Sequence, residues 1–312
     1  PPRSTLFPYT TLFRSDAATG TVVTQLFGHQ DAVQAVAFAV DVSTHDRFVL
    51  TAGDDRQVIL WSRESGSILQ RFSEHQGGIH SLVVSPNDRW ILTGSTDGTA
   101  RLWPARFDSD PRALRHASPI LSIAISADGG LLAAGTSGGP AALWDTGSGG
   151  QVYHLKGHEL PVRSVSLSPD NAFLASAGDD FKMRIWLLRT GVAVRLYDAF
   201  TAPIHAVRFS PDGTLLAAAG QEGLRLYGTS GGLPLRVLER RLAFHTVAFS
   251  PDGQTLLAGS DIGYALYAVE TGNLIAEKAE NAPVFAVSIS PDGRLAAIGG
   301  ASLRLVERPS LE

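Results

Sequence analysis

The stretch GHELPVRSVSLSPDNAFLASAGDDFKMRIW at residues 157–186 shows how this chain is built. It holds two short apolar runs, Val162–Leu167 and Phe173–Ser176, and a third run, Met183–Leu187, begins near its end. A fourth run, Val192–Leu196, follows. The residues between the runs include Pro, Asp, Asn and Gly, which favour tight turns. Short apolar runs separated by such turns predict four β-strands joined as hairpins.

This unit recurs along the chain at a nearly constant spacing. An aromatic residue stands at the end of the third run every 40–42 residues, and Val306 takes the last such place; the aromatic residues are Trp61, Trp103, Trp144, Trp186, Tyr227 and Tyr267. The turn between the first two runs recurs in phase, as SPDG at Ser210, Ser250 and Ser290. A fixed period of about 20 to 50 residues is typical of repeat architectures.

The apolar runs indicate how these units pack. Several runs, such as Ile120–Ile125, are apolar on both faces, whereas a sheet covered on one side alternates apolar and polar residues. Each four-stranded sheet is therefore expected to lie between two neighbours. Radial stacking of such sheets, which leaves only short exposed edges, gives a β-propeller.

Counting strands predicts an all-β fold, a seven-bladed β-propeller of four-stranded antiparallel blades. Six complete units end near Lys278, and Val284–Val306 supplies three further strands. Thr21–Phe27 supplies one N-terminal outer strand. We expect this strand to complete the last blade and close the ring, because repeat arrays need closure or caps.

Residues 1–15 are expected to stand outside the fold as an artefactual or disordered segment. The run FPYTTLFRS at Phe7–Ser15 resembles a common sequencing adapter translated in frame. Residues 16–312 then form a single propeller domain. Asp16–Gly20 resembles the residues that follow the tryptophan of a further repeat, so we expect truncation of the domain at its N-terminus.

Composition excludes several classes of function. The net charge is −4 and charged residues are spread along the chain, so no electrostatic footprint for nucleic acid is visible. The chain has no Cys, which excludes disulfides and thiolate metal sites. It has no run of 18 or more apolar residues, so no membrane-spanning helix is predicted. We expect a monomeric, cytoplasmic protein without metal, cofactor or nucleic-acid partner.

The residues at the ends of these units resemble the WD-repeat (Trp-Asp repeat) β-propeller family. The hallmarks are a Gly-His pair, as at Gly28-His29 and Gly157-His158, and a Trp-Asp pair, as at Trp144-Asp145. The resemblance extends from Asp16 to about Glu307, and it implies a buried tetrad of His, Ser or Thr, Asp and Trp in each regular blade. Three blades carry the full set at matching spacing: His29, Thr51, Asp55 and Trp61; His75, Thr93, Asp97 and Trp103; His158, Ser176, Asp180 and Trp186.

The other blades depart from that pattern. Gly138 stands at the Asp position of blade three, and Ala residues occupy the hydroxyl position of blades five to seven. Asp261 fits the Asp position of blade six but is expected to lack partners. We therefore expect blades five to seven to rest on apolar packing alone.

The hydroxyl, imidazole and carboxylate of a tetrad are also the groups of a nucleophilic triad. A structural role is favoured because the set recurs three times, and because a hydroxyl buried between strands and engaged by Trp cannot attack a substrate. The sequence has no zinc-protease or phosphate-loop motif. We predict that the chain is not an enzyme.

We expect a second set of residues to bind a partner. Each of them directly follows the first apolar residue of the first strand in its blade. In related propellers this position lies near the rim of the upper face. The set is Gln34, His80, Leu121, Arg163, His205, His245 and Phe285. It mixes aromatic, imidazole and guanidinium groups, which are common at binding hot spots, so we predict a peptide or protein ligand. The alternative is a surface whose residues simply vary. The three histidines, on blades two, five and six, are expected to lie too far apart to share a metal.

Together these features predict a non-catalytic scaffold that recruits a protein or peptide to its upper face. The alternative is the C-terminal regulatory or sensor propeller of a larger signalling enzyme, a kinase or a caspase-like protease. A periplasmic TolB-like component is a third interpretation. The simple SPDG turns and the high Ala and Gly content indicate a bacterial source.

Overall fold

The computed structural model describes residues 11–16, 21–40, 47–62, 65–86, 89–105, 110–198, 200–239, 242–300 and 303–307. Within these ranges the chain forms 29 β-strands. The same ranges contain no helix that is long and apolar enough to cross a membrane.

The strands form seven sheets, of which six have four strands each in sequence order, with antiparallel neighbours. We number these six sheets as blades one to six. The N-terminal strands are β1 (Thr11–Asp16) and β2 (Thr21–Phe27); blade one has β3 (Val33–Val40), β4 (Arg47–Gly53), β5 (Val58–Ser62) and β6 (Ile68–Phe72); blade two has β7 (Ile79–Val84), β8 (Trp90–Ser95), β9 (Thr99–Pro104) and β10 (Arg112–Arg115); blade three has β11 (Ile120–Ile125), β12 (Leu131–Thr136), β13 (Ala141–Asp145) and β14 (Gln151–Leu155); blade four has β15 (Val162–Leu167), β16 (Phe173–Gly178), β17 (Met183–Leu187) and β18 (Val192–Tyr197); blade five has β19 (Ile204–Phe209), β20 (Leu215–Gly220), β21 (Gly223–Gly228) and β22 (Arg236–Glu239); blade six has β23 (Phe244–Phe249), β24 (Thr255–Ser260), β25 (Gly263–Ala268) and β26 (Leu274–Ala279); the last strands are β27 (Val284–Ile289), β28 (Leu295–Gly300) and β29 (Leu303–Glu307).

The seventh sheet has five strands in the order β2-β1-β29-β28-β27, and we call it the closing sheet. β1 lies between β29 and β2, parallel to β29 and antiparallel to β2. The prediction of seven four-stranded blades is therefore wrong, because the structure has six such blades. The expected direct pairing of Thr21–Phe27 with the third strand of the last blade is also wrong, because β1 occupies that edge of β29.

Residues Thr11–Ser15 belong to β1, so the expectation that residues 1–15 stand outside the fold is wrong for this part of the segment. The physical reason is the free backbone edge of β29, which offers unpaired donors and acceptors to any extended segment nearby. Leu12, Phe13 and Arg14 pair with that edge. Residues 1–10 lie outside the described residues. The origin of the segment and the truncation of the domain stay predictions.

The sheets are arranged in a ring with hydrophobic cores between neighbours. Each innermost strand from β3 to β23 contacts the innermost strand of the next sheet, and β27 of the closing sheet contacts β3. Between blades four and five, Met183 and Ile185 pack with Ile204 and Val207 in one buried cluster. The expected burial of each blade between two neighbours is therefore confirmed, and it explains why many strands are apolar on both faces.

The innermost strands enclose a passage that we call the central channel, and each presents an unpaired backbone edge to it. Serine hydroxyls satisfy part of this edge. The N–H of Val165 donates to Ser122 Oγ (3.2 Å), and the N–H of Val207 donates to Ser164 Oγ (3.0 Å). Each bond joins the innermost strands of adjacent blades. Because a buried amide without a partner costs about 1–3 kcal/mol, these serines stabilise the ring.

Deleting residues 1–16 is expected to leave the propeller folded. Because β1 is parallel to β29 and antiparallel to β2, β2 already runs antiparallel to β29. Once β1 is removed, β2 can pair with β29 and restore a four-stranded antiparallel sheet. Urea unfolding followed by tryptophan fluorescence is expected to remain cooperative, with a free energy of unfolding within about 1 kcal/mol of the full chain. Loss of cooperativity, or of several kcal/mol, would show instead that β1 is required.

Candidate functional site

Seven side chains occupy equivalent places at one end of the ring. Each is the second residue of an innermost strand: Gln34, His80, Leu121, Arg163, His205, His245 and Phe285. In every one of these strands the pairing with the second strand shifts register at this residue, which marks a β-bulge. A bulged residue is left out of the ladder and its side chain is re-aimed. We call this set the upper ring, and the face on which it lies the upper face.

Carboxylates from the hairpins between second and third strands lie beside the upper ring. The N–H of Asp54 donates to the carbonyl of Ala32 (3.0 Å), and the N–H of Asp179 donates to that of Pro161 (2.9 Å). These bonds hold each hairpin against the residue that precedes the innermost strand. Gln34 Nε2 donates in turn to Asp54 Oδ2 (2.8 Å). The hairpin therefore places a carboxylate within reach of the bulged residue.

Arg163 and Asp179 form a two-point ion pair in blade four. The Nε and Nη2 groups of Arg163 donate to the two carboxylate oxygens at 2.9 and 2.8 Å. These hydrogen bonds are the main cause that raises the pKa of Arg163. The Arg163 side chain is 47% exposed, so the pair contributes little to stability and stays open to a partner.

Asp261 belongs to the same set of hairpin carboxylates. Its N–H donates to the carbonyl of Ala243 (3.4 Å), the counterpart of the bonds made by Asp54 and Asp179. His245 Nε2 donates to the Asp261 carboxylate at 2.6 Å. The expectation that Asp261 lacks partners is therefore wrong.

The physical reason for this error is the length of the hairpin. In blade one, four residues (54–57) separate β4 from β5, and Asp55 points into the blade. In blade six only Asp261 and Ile262 separate β24 from β25. Counting back from the aromatic residue of the third strand therefore aligns Asp261 with Asp55, whereas its backbone bond aligns it with Asp54.

The side chains of His205, His245 and Phe285 contact one another in order along the upper ring, and we call these three residues the aromatic run. The rings of His205 and His245 stack with centroids 5.3 Å apart at 14°, and the His245 and Phe285 rings lie 5.0 Å apart. His205 Nδ1 donates to the carbonyl of Phe244 (3.0 Å), and burial lowers the pKa of His205. The bulges of adjacent blades bring His205 and His245 together, while His80 lies on blade two. Among the described residues, no cluster of three or more His, Asp or Glu is placed to hold a metal.

The rest of the upper ring is less aromatic. His80 Nε2 lies 3.7 Å from Asp54 Oδ1, so Asp54 links blades one and two. Leu121 is partly buried. Three of the hairpin carboxylates, those of Asp54, Asp179 and Asp261, contact residues of the upper ring, which itself contains one guanidinium, that of Arg163. The upper face therefore carries a negative balance at this site.

Inside three of the blades the structure joins the tetrad residues in a buried chain of hydrogen bonds. In blade one the Trp61 indole N–H donates to Thr51 Oγ1 (2.8 Å). The Thr51 hydroxyl donates to His29 Nε2 (2.7 Å), and His29 Nδ1 donates to Asp55 (2.9 Å), because a carboxylate can only accept. The same chains run through Trp103, Thr93, His75 and Asp97 in blade two, and through Trp186, Ser176, His158 and Asp180 in blade four.

The electrostatics of blade two fix the protonation of its chain. Burial by itself raises the pKa of Asp97, but hydrogen bonds from Thr99, the Gln76 amide and His75 outweigh it and lower this pKa to about 2. Burial lowers the pKa of His75. The carboxylate is therefore ionised and the imidazole neutral near pH 7, as the chain of donors and acceptors requires.

The hydroxyls of the three tetrads cannot reach a substrate. Thr51, Thr93 and Ser176 are each 0% exposed. Each hydroxyl oxygen already accepts from an indole, and its proton is directed to an imidazole. The tetrads therefore connect the second and third strands of a blade to the segment before its first strand, which is a structural role.

Four segments of the chain match the family described as WD domain, G-beta repeat: residues 20–62, 66–104, 149–186 and 191–227. Together they amount to half of the chain. The chain belongs to the WD-repeat family. The first three segments contain the tetrad tryptophans, and the fourth ends at Tyr227 of blade five.

Several WD-repeat relatives align with parts of the chain. Periodic tryptophan protein 2 of Arabidopsis thaliana is 32% identical over 112 residues, which cover 35% of this chain and 12% of the relative. Target of rapamycin complex subunit wat1 of Schizosaccharomyces pombe is 29% identical over 119 residues, which cover 38% of this chain and 36% of the relative. U3 small nucleolar RNA-associated protein 15 homolog of Xenopus tropicalis is 31% identical over 130 residues, which cover 41% of this chain and 24% of the relative. The chain thus spans well under half the length of each of these relatives.

These three relatives are eukaryotic, so the prediction of a bacterial source is not supported. The prediction of a WD-repeat propeller is confirmed by the family match. The regularity of the SPDG turns, on which the bacterial prediction depended, follows from turn chemistry, because Pro and Asp-Gly suit a tight hairpin in any source.

The WD-repeat pattern alone did not predict the contacts of several charged residues at the tetrads and the upper face. Arg184 Nη1 donates to Asp180 Oδ2 (2.7 Å) and adds a cation to the tetrad of blade four. Its signal is an Arg two residues before the third-strand aromatic, which recurs in other blades. Asp54 and Asp179 each precede a tetrad Asp, and these Asp-Asp pairs are the signal for a carboxylate on the upper face.

WD-repeat blades five and six replace the tetrad by apolar packing. Ala217 and Ala258 stand near the hydroxyl position and are 0% exposed. The Tyr227 ring is fully buried and packs on Tyr197 at 5.2 Å between centroids. Tyr227 therefore packs in the place of the Trp of a regular blade but takes no part in a tetrad hydrogen-bond chain.

Replacing Asp180 by Ala is expected to destabilise the protein more than replacing Asp261 by Ala. Asp180 holds the buried His158 and Arg184, so its loss leaves buried donors unpaired at a cost of about 1–3 kcal/mol. The Asp261 side chain is 55% exposed, and such a pair contributes about 0–1 kcal/mol. Urea unfolding of the two variants measures the difference. Equal losses would contradict a structural role for the WD-repeat tetrad.

Stability is also expected to fall at acid pH because of the tetrad carboxylates. The pKa of Asp97 is about 2 in the folded protein and about 4 in an unfolded chain. Its ionised form therefore stabilises the fold above about pH 4, and this contribution is lost as the pH falls towards about 2. Between about pH 5 and pH 2.5, Asp97→Asn is expected to lose less unfolding free energy than the wild type. Urea unfolding at each pH tests this, and parallel curves for the two proteins would contradict it.

Proposed function

We propose that this WD-repeat protein is a non-catalytic scaffold that binds a peptide or protein partner through the upper ring. The observation that carries the proposal is the aromatic run beside an exposed carboxylate. Phe285 is 44% exposed at the end of the run, and the Asp261 side chain next to His245 is 55% exposed. Large aromatic side chains that stay accessible are the usual anchors of protein interfaces.

The chemistry of this site selects the kind of partner. The three hairpin carboxylates give the rim a negative balance against Arg163. A Lys or Arg side chain of the partner can pair with Asp261 and lie against the face of Phe285, which attracts a cation. An apolar neighbour of that cation would cover the rest of the aromatic run. A short segment with a basic residue next to an apolar one therefore fits this face best.

The relatives give this proposal its setting. One is named as a subunit of a target of rapamycin complex and another as associated with a small nucleolar RNA. Both names describe members of assemblies, which is what a scaffold without catalytic groups serves. The alternative of a regulatory propeller in a larger signalling enzyme, a monomeric state and a cytoplasmic location stay predictions.

Selection from a phage-displayed library of random peptides against the immobilised full chain tests the proposal. Selected peptides are then synthesised and their dissociation constants measured by fluorescence polarisation. We expect enrichment of Lys and Arg next to apolar residues. Phe285→Ala is expected to weaken these peptides by about tenfold or more, the loss typical of an interface anchor.

The matched control is Leu274→Ala on β26. Leu274 is 48% exposed, close to Phe285 at 44%, but lies on the outermost strand of blade six. This control is expected to leave peptide binding unchanged. A selected set that binds Phe285→Ala and Arg163→Glu as tightly as the wild type would remove the upper ring from consideration.

A further inference from the structure

The strands that line the central channel carry cations but no carboxylate of their own. The seven innermost strands, β3, β7, β11, β15, β19, β23 and β27, contain neither Asp nor Glu. They contain two arginines, Arg163 and Arg208. Arg163 is neutralised by Asp179 of the adjacent hairpin. Arg208, the fifth residue of β19, is the one whose charge needs an explanation.

Arg208 reaches the unpaired edge of the innermost strands. Its Nη1 donates to Ser164 Oγ (3.1 Å) and to the carbonyls of Val165 (3.3 Å) and Val207 (2.9 Å). The amides of Val165 and Val207 are bonded to serine hydroxyls of the preceding blade and not to a second strand. Their carbonyls therefore lie on the channel edge, and the guanidinium that contacts them lies at the channel wall.

The guanidinium of Arg208 uses only the two N–H donors on Nη1 of its five. Among the described residues only Nη1 has acceptors, and no carboxylate lies within ion-pair distance. In Arg163 the Nε and Nη2 groups form the fork that grips Asp179. In Arg208 the same fork has no acceptor in the described part of the chain. Burial lowers the pKa of Arg208 with no charged neighbour to oppose it, yet an arginine side chain remains protonated.

The residues at the level of Arg208 on the other innermost strands bear on which ligand this fork could take. The fifth residue of the other innermost strands is small in every described case: Ala37, Val83, Ala124, Ser166, Ala248 and Ser288. Ser166 on the neighbouring β15 accepts from the N–H of Phe209, so its hydroxyl proton remains available as a further donor. A cation, a hydroxyl and small apolar side chains together suit a small anion.

We propose that Arg208 is the centre of an anion-binding site in the central channel, which takes a carboxylate or a phosphate-like oxyanion through its free Nε and Nη2 fork. Such anions match the planar fork in two points. The site is separate from the upper ring, because three residues of extended strand place Arg208 about 10 Å further along β19 than His205. It does not depend on the peptide-binding proposal.

Calorimetric titration of the full chain with inorganic phosphate, at ionic strength held constant with sodium chloride, tests the site. A second arm uses N-acetylglycine, which mimics the C-terminal carboxylate of a peptide. We expect saturable binding of at least one probe, and the tighter probe identifies the source of the anion. Arg208→Met is expected to weaken that probe by about tenfold or more, which corresponds to about 1.4 kcal/mol.

Arg195→Met is the control, because it removes a guanidinium on the outermost strand of blade four, outside both proposed sites, and it is expected to bind the probe as the wild type does. Arg208→Lys keeps the charge and loses the fork, so we expect intermediate affinity, and it serves as the test variant if Arg208→Met does not fold. The proposal is overturned if neither probe binds the wild type, or if Arg208→Met and Arg208→Lys titrate like it.

Discussion

Burial of every blade on both faces is the constraint on which this structure depends. Between two neighbours a sheet has no solvent to satisfy polar groups, so the ladders must pair nearly all of its backbone. The backbone groups that the ladders leave unpaired lie at the channel-facing edge of the innermost strands and at the hairpins. Ser122 and Ser164 serve the edge by accepting amide bonds from the next blade. Apart from the tetrads, polar groups therefore gather at the channel wall and at the ends of the blades, which is where both proposed sites lie.

The blades meet this constraint in two ways. Blade four uses a chain of hydrogen bonds from Trp186 to Asp180 in which every polar group has a partner. Such a chain is rigid, but the loss of one member leaves buried polar groups unpaired, which destabilises the fold. Blade six does without the chain and uses a two-residue hairpin. Both solutions nevertheless deliver a carboxylate to the upper face, Asp179 in one case and Asp261 in the other. The geometry of the upper ring thus does not depend on the tetrad, because the backbone bond from hairpin to innermost strand is common to both kinds of blade.

The sequence predicts features that repeat locally and misses those set by neighbours in space. The bounds of β15 and β17 agree with the apolar runs because turn residues mark both ends. The five-stranded closing sheet was missed, since nothing local tells which extended segment will take the free edge of β29. The partner of Asp261 was missed because a shorter hairpin changes the count from the aromatic residue. The stacking of His205 on His245 was missed because spacing along the chain does not show that adjacent bulges converge.

The two proposed sites differ in how closely they are tied to the fold. Residues of the upper ring are left out of the ladder by the bulge, so Phe285 or His245 can change at little cost to the blades. Surface positions held by a rigid scaffold are where recognition is expected to vary. Arg208 is different, because its guanidinium binds carbonyls of β15 and β19 and so bridges two blades. An anion held there would neutralise a charge inside the ring itself, so its binding would be linked to the stability of the whole propeller.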